Sequence, residues 1–364
     1  MMKKVFVDFH VIQTVPPSCV NRDDTGSPKT AVYGGVRRAR VSSQSWKRAM
    51  RKMFREHFDE FELGQRTKKI VALVAEKISA CDKAKSEEQS KKLAEEIINL
   101  AGVTTKDAEA KALFFMTGKQ AENLAGLVLD RDFGSKKDTQ KKKEAQIALN
   151  KNQGVDIALF GRMVADDPSL NADASAQVAH SISTHRVDNE YDYFTAVDDL
   201  APEDNAGAGM IGTVEYNSST LYRYATVAAH ELFKQLAEEP DALAKAIKEF
   251  ARAFIASMPD GKQNTFANRT LPDAVLVAVR ADQPVNLAGA FEEAIRSKED
   301  GFVKESIKKL KGHAQKVYGE FACAPAKSYV INADLSELGV PVDFKTLLDE
   351  LEKEMKDRFS PGNN

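Results

Sequence analysis

From residue 60 to about 150 the sequence carries a single periodicity. Lys, Glu, Ala and Leu recur at helical spacing in stretches such as SKKLAEEIINLAGV and AEAKALFFMTGKQAENLAGLVL, with few strand signals. Strand patterns stand on either side of this block, so a chain like this must draw its sheet from segments far apart in sequence. The order strand, helix, helical block, strand, helix, strand predicts an α+β fold, a split βαβ or ferredoxin-like domain with insertions. A length of 364 residues leaves room for one large domain with insertions or for two domains. With 43% hydrophobic and 29% charged residues the composition is ordinary for a globular protein, and no apolar run approaches a membrane span.

Residues 4 to 12 alternate, Val5, Val7, Phe9 and Val11 against Phe6, Asp8, His10 and Ile12, which predicts a half-buried strand. Pro, Asn, Asp, Ser and Gly then mark a long loop ending at Gly34 and Gly35. A helix is expected over SSQSWKRAMRKMF, capped by Ser42 or Ser43, with Trp46, Ala49, Met50, Met53 and Phe54 on its apolar side. VDIALFGRM reads as strand-like or buried, and VAHSISTHRVD onward as a long protruding loop or hairpin with a Gly-, Ala- and Asn-rich centre. Strands are expected at 220–228, DAVLVAVRA and KSYVIN, a helix from His230 to Met258 broken at Pro240, and a short helix near 287–297.

Net charge is −2, so what informs is where the charge lies. Between Thr25 and Arg55 there are nine Lys or Arg and no Asp or Glu; between Val187 and Tyr222 there are eight acids and no Lys or Arg. Gln44, Lys47, Arg48, Arg51 and Arg55 recur on one helical face, turned away from Trp46 and Met50. The serines at the start of that helix add free amides and hydroxyls, and Arg37, Arg38 and Arg40 lead into it. Together these features point to a polyphosphate or nucleic-acid backbone. Tyr191, Tyr193, Phe194, Tyr222 and Tyr224 are candidates for stacking on bases.

Signals for catalysis are few. Cys19, Cys81 and Cys323 are too scattered for a disulfide framework or a thiolate metal site, which suits a reducing cytoplasm. His180 and His185 are five apart and do not share a helix face, and the common hydrolase and nucleotide motifs are missing. Asp23 with Asp24, or Asp198 with Asp199, are the pairs that suit Mg²⁺, though paired acids are common in turns. The five lysines of GSKKDTQKKKEA fit a solvated helix face or a second contact surface.

The blocks SCVNRDD, GGVRRARVSSQSWKRAMR, GVDIALFGRM, AHSISTHRVD, YFTAVDD and GKQNTFA, in this order, resemble the CasC-type backbone subunit of the type I-E CRISPR surveillance complex, Cascade. The resemblance implies an RRM-like palm (1–59, 151–186 and 216–364), a helical fingers insertion (60–150) and a thumb (187–215). It implies that copies stack head to tail along a guide CRISPR RNA beside other Cascade subunits. It further implies that each thumb displaces a base at regular intervals and that the remaining bases pair with target DNA, which a recruited helicase-nuclease degrades. No cofactor, metal or membrane is implied.

Residue by residue, the resemblance implies guide-backbone contacts for Arg22, Lys29, Ser42, Gln44, Lys47, Arg48 and Arg51, with Lys262, Gln263 and Asn264 near the RNA. Met163 and Phe194 match the apolar pair at the displaced base, and Lys136, Lys137 and Lys141 match lysines facing target DNA. The acidic span falls on the thumb and is expected to dock beside a basic surface of the next copy. The rival expectation is a metal-dependent RNA endonuclease like the type III backbone subunits, with Asp23 or Asp24 as the acid.

Overall fold

Strand Phe6–Ser18 runs through the middle of a mixed sheet and is covered on both faces. The computed structural model describes residues 3–59, 62–164, 167–196, 210–296 and 300–360. Across the sheet the strands follow the order 340–341, 327–331, 274–280, 6–18, 210–228, 181–183, 36–41, 30–33. Strand 6–18 pairs antiparallel with 274–280, Phe6 opposite Arg280 and Ile12 opposite Ala274, while 327–331 and 340–341 run parallel. The α+β expectation holds.

The expectation of one wet face on the first strand does not. On one side Phe9 meets the rings of Phe250 and Phe254 at 5.4 and 6.0 Å. On the other, Ile12 joins a cluster with Leu276, Phe291, Ile307, Leu310 and Ala314. The cover comes from a 3₁₀ turn, Leu287–Phe291, and a helix, Val303–Glu320. The latter is masked in sequence by its lysines, yet it places Ile307, Leu310 and Ala314 on one buried stripe.

Several polar groups under that cover are paired, while His10 Nε2 and the Tyr318 hydroxyl have no hydrogen-bond partner among the described residues. The Tyr224 hydroxyl donates to Asp8 Oδ1 at 3.1 Å and the Val285 amide to Asp8 Oδ2 at 2.9 Å. His10 Nδ1 lies 2.9 Å from the Tyr222 hydroxyl, and burial holds the imidazole down at about 3. Tyr222 and Tyr224 are therefore core residues and are withdrawn as stacking candidates: they lie on a strand whose face is closed by the turn 287–291 and the helix 303–320.

Burial pushes the Asp8 carboxyl up from 3.8 to about 6, opposed by its hydrogen bonds and by Arg280. A carboxyl that holds its proton more tightly in the folded chain favours folding fully below its unfolded value. That contribution is lost as pH rises through about 6, a change on the order of 3 kcal/mol. A carbon-13 titration of Asp8 should show a midpoint near 6; a midpoint near 4 would mean that water reaches the carboxyl.

The chain divides into two compact units, residues 1–50, 178–226 and 248–353 in one and 51–177, 227–247 and 354–364 in the other. The first holds the sheet just described. The second is built mainly from helices Ile70–Cys81, Glu87–Leu100, Gly118–Leu129 and Asp138–Asn150 around Val74, Ile78, Ala94, Ile97, Leu124, Ala145 and Leu149. Capping boxes at Ser86 with Gln89 and at Thr117 with Gln120 fix two helix starts.

VDIALF is a helix, Val155–Phe160, and not a strand. An apolar run this short has no readable period, and the glycines on both sides, Gly154 and Gly161, mark helix ends as well as strand ends. The helix expected over 230–258 is two, Ala229–Gln235 and Pro240–Ala256, joined through Ala237 and Glu238 at φ 59° and 60°. Pro240 starts the second helix, where its missing N–H costs nothing. Among the described residues no helix is long and apolar enough to cross a membrane.

Candidate nucleic-acid interface

The basic stretch folds as a hairpin that feeds a helix. Strands Thr30–Tyr33 and Val36–Val41 pair through Gly34 and Gly35, both left-handed at φ 58° and 75°. Helix Ser43–Phe54 follows at once. Ser42 Oγ accepts from the Ser45 amide at 3.3 Å, and the Ser42 amide donates to Asn21 Oδ1 at 2.9 Å. The Asn21 carbonyl accepts from the Lys29 amide at 2.8 Å, and the Lys29 carbonyl from the Arg40 amide at 2.9 Å. Asn21, which the sequence does not single out, thus ties the loop bearing Arg22 and Lys29 to the start of the helix.

The nine basic residues are not one surface. Arg38 is fully buried, and its guanidinium donates to the carbonyls of Tyr33, Ser183, Phe291 and Glu292 at 2.9–3.2 Å. It is a structural residue, which corrects its place in the basic lead-in to the helix. Gln44, Arg48 and Arg55 are exposed, and Lys47 and Arg51 half-buried. Arg51 lies 5.5 Å over the Phe115 ring, and its charge acts on the buried carboxyl of Asp156. Trp46, Met50 and Phe54 are buried as expected, Trp46 Nε1 donating to Ser181 Oγ at 2.9 Å.

The GKQNT block lies in the same unit as the basic loop. A Cβ on Gly261 would stand 2.1 Å from the Val20 carbonyl oxygen, so only glycine lets the two backbones approach this closely. Lys262 takes a left-handed conformation at φ 47° before the short helix Gln263–Phe266, with Gln263 half-buried and Asn264 exposed. The charges of Lys262 and Arg22 both act on the Cys19 thiol, which burial pushes up. One unit therefore holds Arg22, Lys29, Ser42, Gln44, Lys47, Arg48, Lys262, Gln263 and Asn264.

The Gly-rich segment opens on a two-stranded ribbon. Glu190–Ala196 pairs antiparallel with the start of Met210–Ala228, Glu190 opposite Tyr216 and Ala196 opposite Met210, and every residue of 190–196 is exposed. Phe194 lies over Gly212, where a Cβ would meet its ring at 2.4 Å, so the glycine is the seat of the phenylalanine. Tyr191 and Tyr193 stand 68% and 64% exposed on the other side of the strand. Asp198, Asp199, Glu203 and Asp204 fall outside the described residues.

In the second unit Met163 is held out into solvent, 86% exposed, by its neighbours. Gly161 turns the chain at φ 77°, and Arg162 plugs inward to the Leu170 carbonyl at 2.9 Å, the Phe115 carbonyl at 3.2 Å and Asn150 Oδ1 at 2.8 Å. Burial brings the Arg162 guanidinium down to about 10. Of the lysines expected to face DNA, Lys136 is bound to Glu144 at 2.8 and 3.0 Å, Lys141 is half-buried and Lys137 exposed.

Asp23 shapes its loop. Its Oδ1 accepts from the Thr25 amide at 2.9 Å, the Thr25 hydroxyl at 2.7 Å and the Ser27 amide at 3.0 Å, with the hydroxyl bond foremost in holding its carboxyl below the usual range. Asp24 is exposed. Among the described residues no group of three or more His, Cys, Asp and Glu could hold a metal ion. His185 is structural: Nε2 accepts from the Thr220 amide at 3.0 Å and the ring stacks on Phe302 at 3.6 Å. His180 is exposed, with Nδ1 at 3.3 Å from the Ser43 amide.

A chain of a solved structure described as a CRISPR RNA-guided surveillance complex, pre-nicking, is similar at a TM-score of 0.81 and 32% identity, over 96% of this chain and 100% of that one. A second, from a CRISPR RNA-guided surveillance complex, is similar at 0.72 and 28% identity, over 96% and 99%. No curated protein matches. The family profile described as CT1975-like protein matches residues 7–354, and the chain belongs to that family.

Proposed function

We propose that the chain is a CasC-type backbone subunit of a type I-E Cascade complex and binds the spacer of a guide CRISPR RNA without catalysing a reaction. The observation that carries this reading is the gathering of Arg22, Lys29, Ser42, Gln44, Lys47, Arg48 and Lys262 in one unit. They belong to a chain 32% identical, over 96% of its length, to one in an RNA-guided surveillance complex. Phosphates are the counterions such a set of cations needs, and helix-start amides add donors.

In this reading the sheet is an RRM-like palm, the helical block supplies fingers, and the 190–196 ribbon is the root of a thumb. A two-stranded ribbon with one strand exposed along its length is marginal alone and gains stability when it lies against a partner. That partner is the next copy in a head-to-tail filament, whose basic surface complements the acids of the thumb. Met163 and Phe194 act as wedges at displaced bases; the intervening bases pair with target DNA, on which a recruited helicase-nuclease acts. The hydrogen bonds that Asp23 accepts within its own loop support an ordering role over that of a catalytic acid.

Purification with the products of neighbouring genes should yield one complex with an RNA of uniform length carrying a CRISPR spacer. Heterogeneous cellular RNA in its place would overturn the assignment. In such a complex, Phe194→Ala should erase the regular pattern of chemically reactive bases along the spacer while leaving the amount of bound RNA within about twofold, because a wedge orders bases and backbone contacts hold them. An unchanged pattern would remove Phe194 from the wedge.

A further inference from the structure

His180 presents its imidazole to two donors. Nδ1 lies 3.3 Å from the Ser43 amide nitrogen and 3.4 Å from Arg40 Nη1. Neither of those atoms accepts a hydrogen bond, so Nδ1 is the acceptor and the neutral ring with its proton on Nε2 is the form that fits. The ring thus stands where an anionic oxygen would satisfy the same two groups. The charged groups that face it are both cations, Arg40 from strand 36–41 and Lys29 from the first loop, and after desolvation they hold the imidazole below its ordinary value. Protonating Nδ1 in place would set a third donor against two others, which is tolerable only with an anion between them.

We infer that His180 is a proton-linked phosphate ligand for the guide strand. A phosphate oxygen takes over the Ser43 amide and the Arg40 guanidinium, and the released imidazole takes one proton from solvent and donates it in a hydrogen bond to the same phosphate. The inference rests on the RNA-binding reading above and adds to it a dependence on pH that Lys and Arg alone do not give. The ring is depressed in the free chain and raised in the complex, so binding takes up a proton. Affinity therefore rises as pH falls between the two values, by at most about tenfold per pH unit for one proton.

The test is fluorescence anisotropy of a labelled single-stranded RNA oligonucleotide with the full chain, from pH 8 to 5.5 at constant ionic strength. It compares wild type, His180→Gln and the double variant Arg22→Glu with Arg48→Glu. Wild type should gain roughly tenfold or more in affinity across this range, and His180→Gln less than about twofold. Equal slopes in these two chains, or a flat wild type, would overturn the role of His180. Binding by the double variant as tight as wild type at every pH would overturn the RNA site itself, whereas its loss of binding beside equal slopes would remove only His180. Should His180→Gln not fold, calorimetry of wild type in two buffers of different ionisation enthalpy decides the matter: uptake of close to one proton supports the inference and none overturns it.

Discussion

A chain carrying Arg22→Glu with Arg48→Glu should bind single-stranded RNA some 10²- to 10⁴-fold more weakly than wild type and unfold at the same temperature. A hydrogen bond from a charged donor to phosphate contributes about 1.5–3 kcal/mol, and two are reversed here. The same change should lower the slope of log affinity against log salt by about 1.4, since each single-strand phosphate contact adds about 0.7. Both side chains are exposed, one on the first loop and one on helix 43–54, so the fold should lose less than about 0.5 kcal/mol. Arg51 is a poorer choice, although it follows Arg48 by three residues on the same face. Burial has already raised Asp156 to about 6 and the Arg51 charge opposes that rise, so a glutamate at 51 would strain the second unit and confuse binding with folding. Undiminished affinity in the double variant would place the RNA elsewhere on the molecule.

The helix of the basic stretch was legible because two local signals agree: serines that can cap, and Trp46, Met50 and Phe54 at helical spacing. Strand 274–280 was legible for a similar reason, a continuous β-branched and apolar run between breakers, and 327–331 from the shorter run Tyr329, Val330 and Ile331. What stayed hidden depends on partners distant in sequence. Asp8, His10, Tyr222 and Tyr224 read as one half of an alternation, and it takes the turn 287–291 and the helix 303–320 to make that half core. Asn21 is one polar residue in a polar loop until its side chain meets the Ser42 amide. Arg162 and Met163 are adjacent, and the inward course of the first, which sets out the second, follows from carbonyls at 115 and 170 and the Asn150 side chain. Arg37, Arg38 and Arg40 look alike in sequence, yet the middle one differs from the others in kind.

Arg38→Ala should therefore do what the double reversal does not, and lower stability by about 3–5 kcal/mol, with RNA lost only as the fold is lost. The guanidinium makes four hydrogen bonds to carbonyls of three separate segments, at Tyr33, at Ser183 and at Phe291 with Glu292. No carboxylate side chain is among those partners, so carbonyl dipoles meet the guanidinium directly; burial lowers it from its ordinary value, opposed by the charges of Tyr33 and Glu292. Removing the side chain leaves several buried oxygens short of a donor at about 1–3 kcal/mol each, partly repaired if water enters. Lysine at 38 would keep a charge but not the planar fork that reaches three segments at once, so Arg38→Lys should recover at most about half of the loss. Thermal unfolding is the measurement, with a fall of roughly 10 °C for alanine. The hairpin strand 36–41 is the contact most exposed to the change, because Gly34 lies so close to the Glu292 carbonyl that a Cβ would stand 1.7 Å from it. An alanine variant as stable as wild type would show that those carbonyls are solvated rather than bound, and would return Arg38 to the residues proposed to meet phosphate.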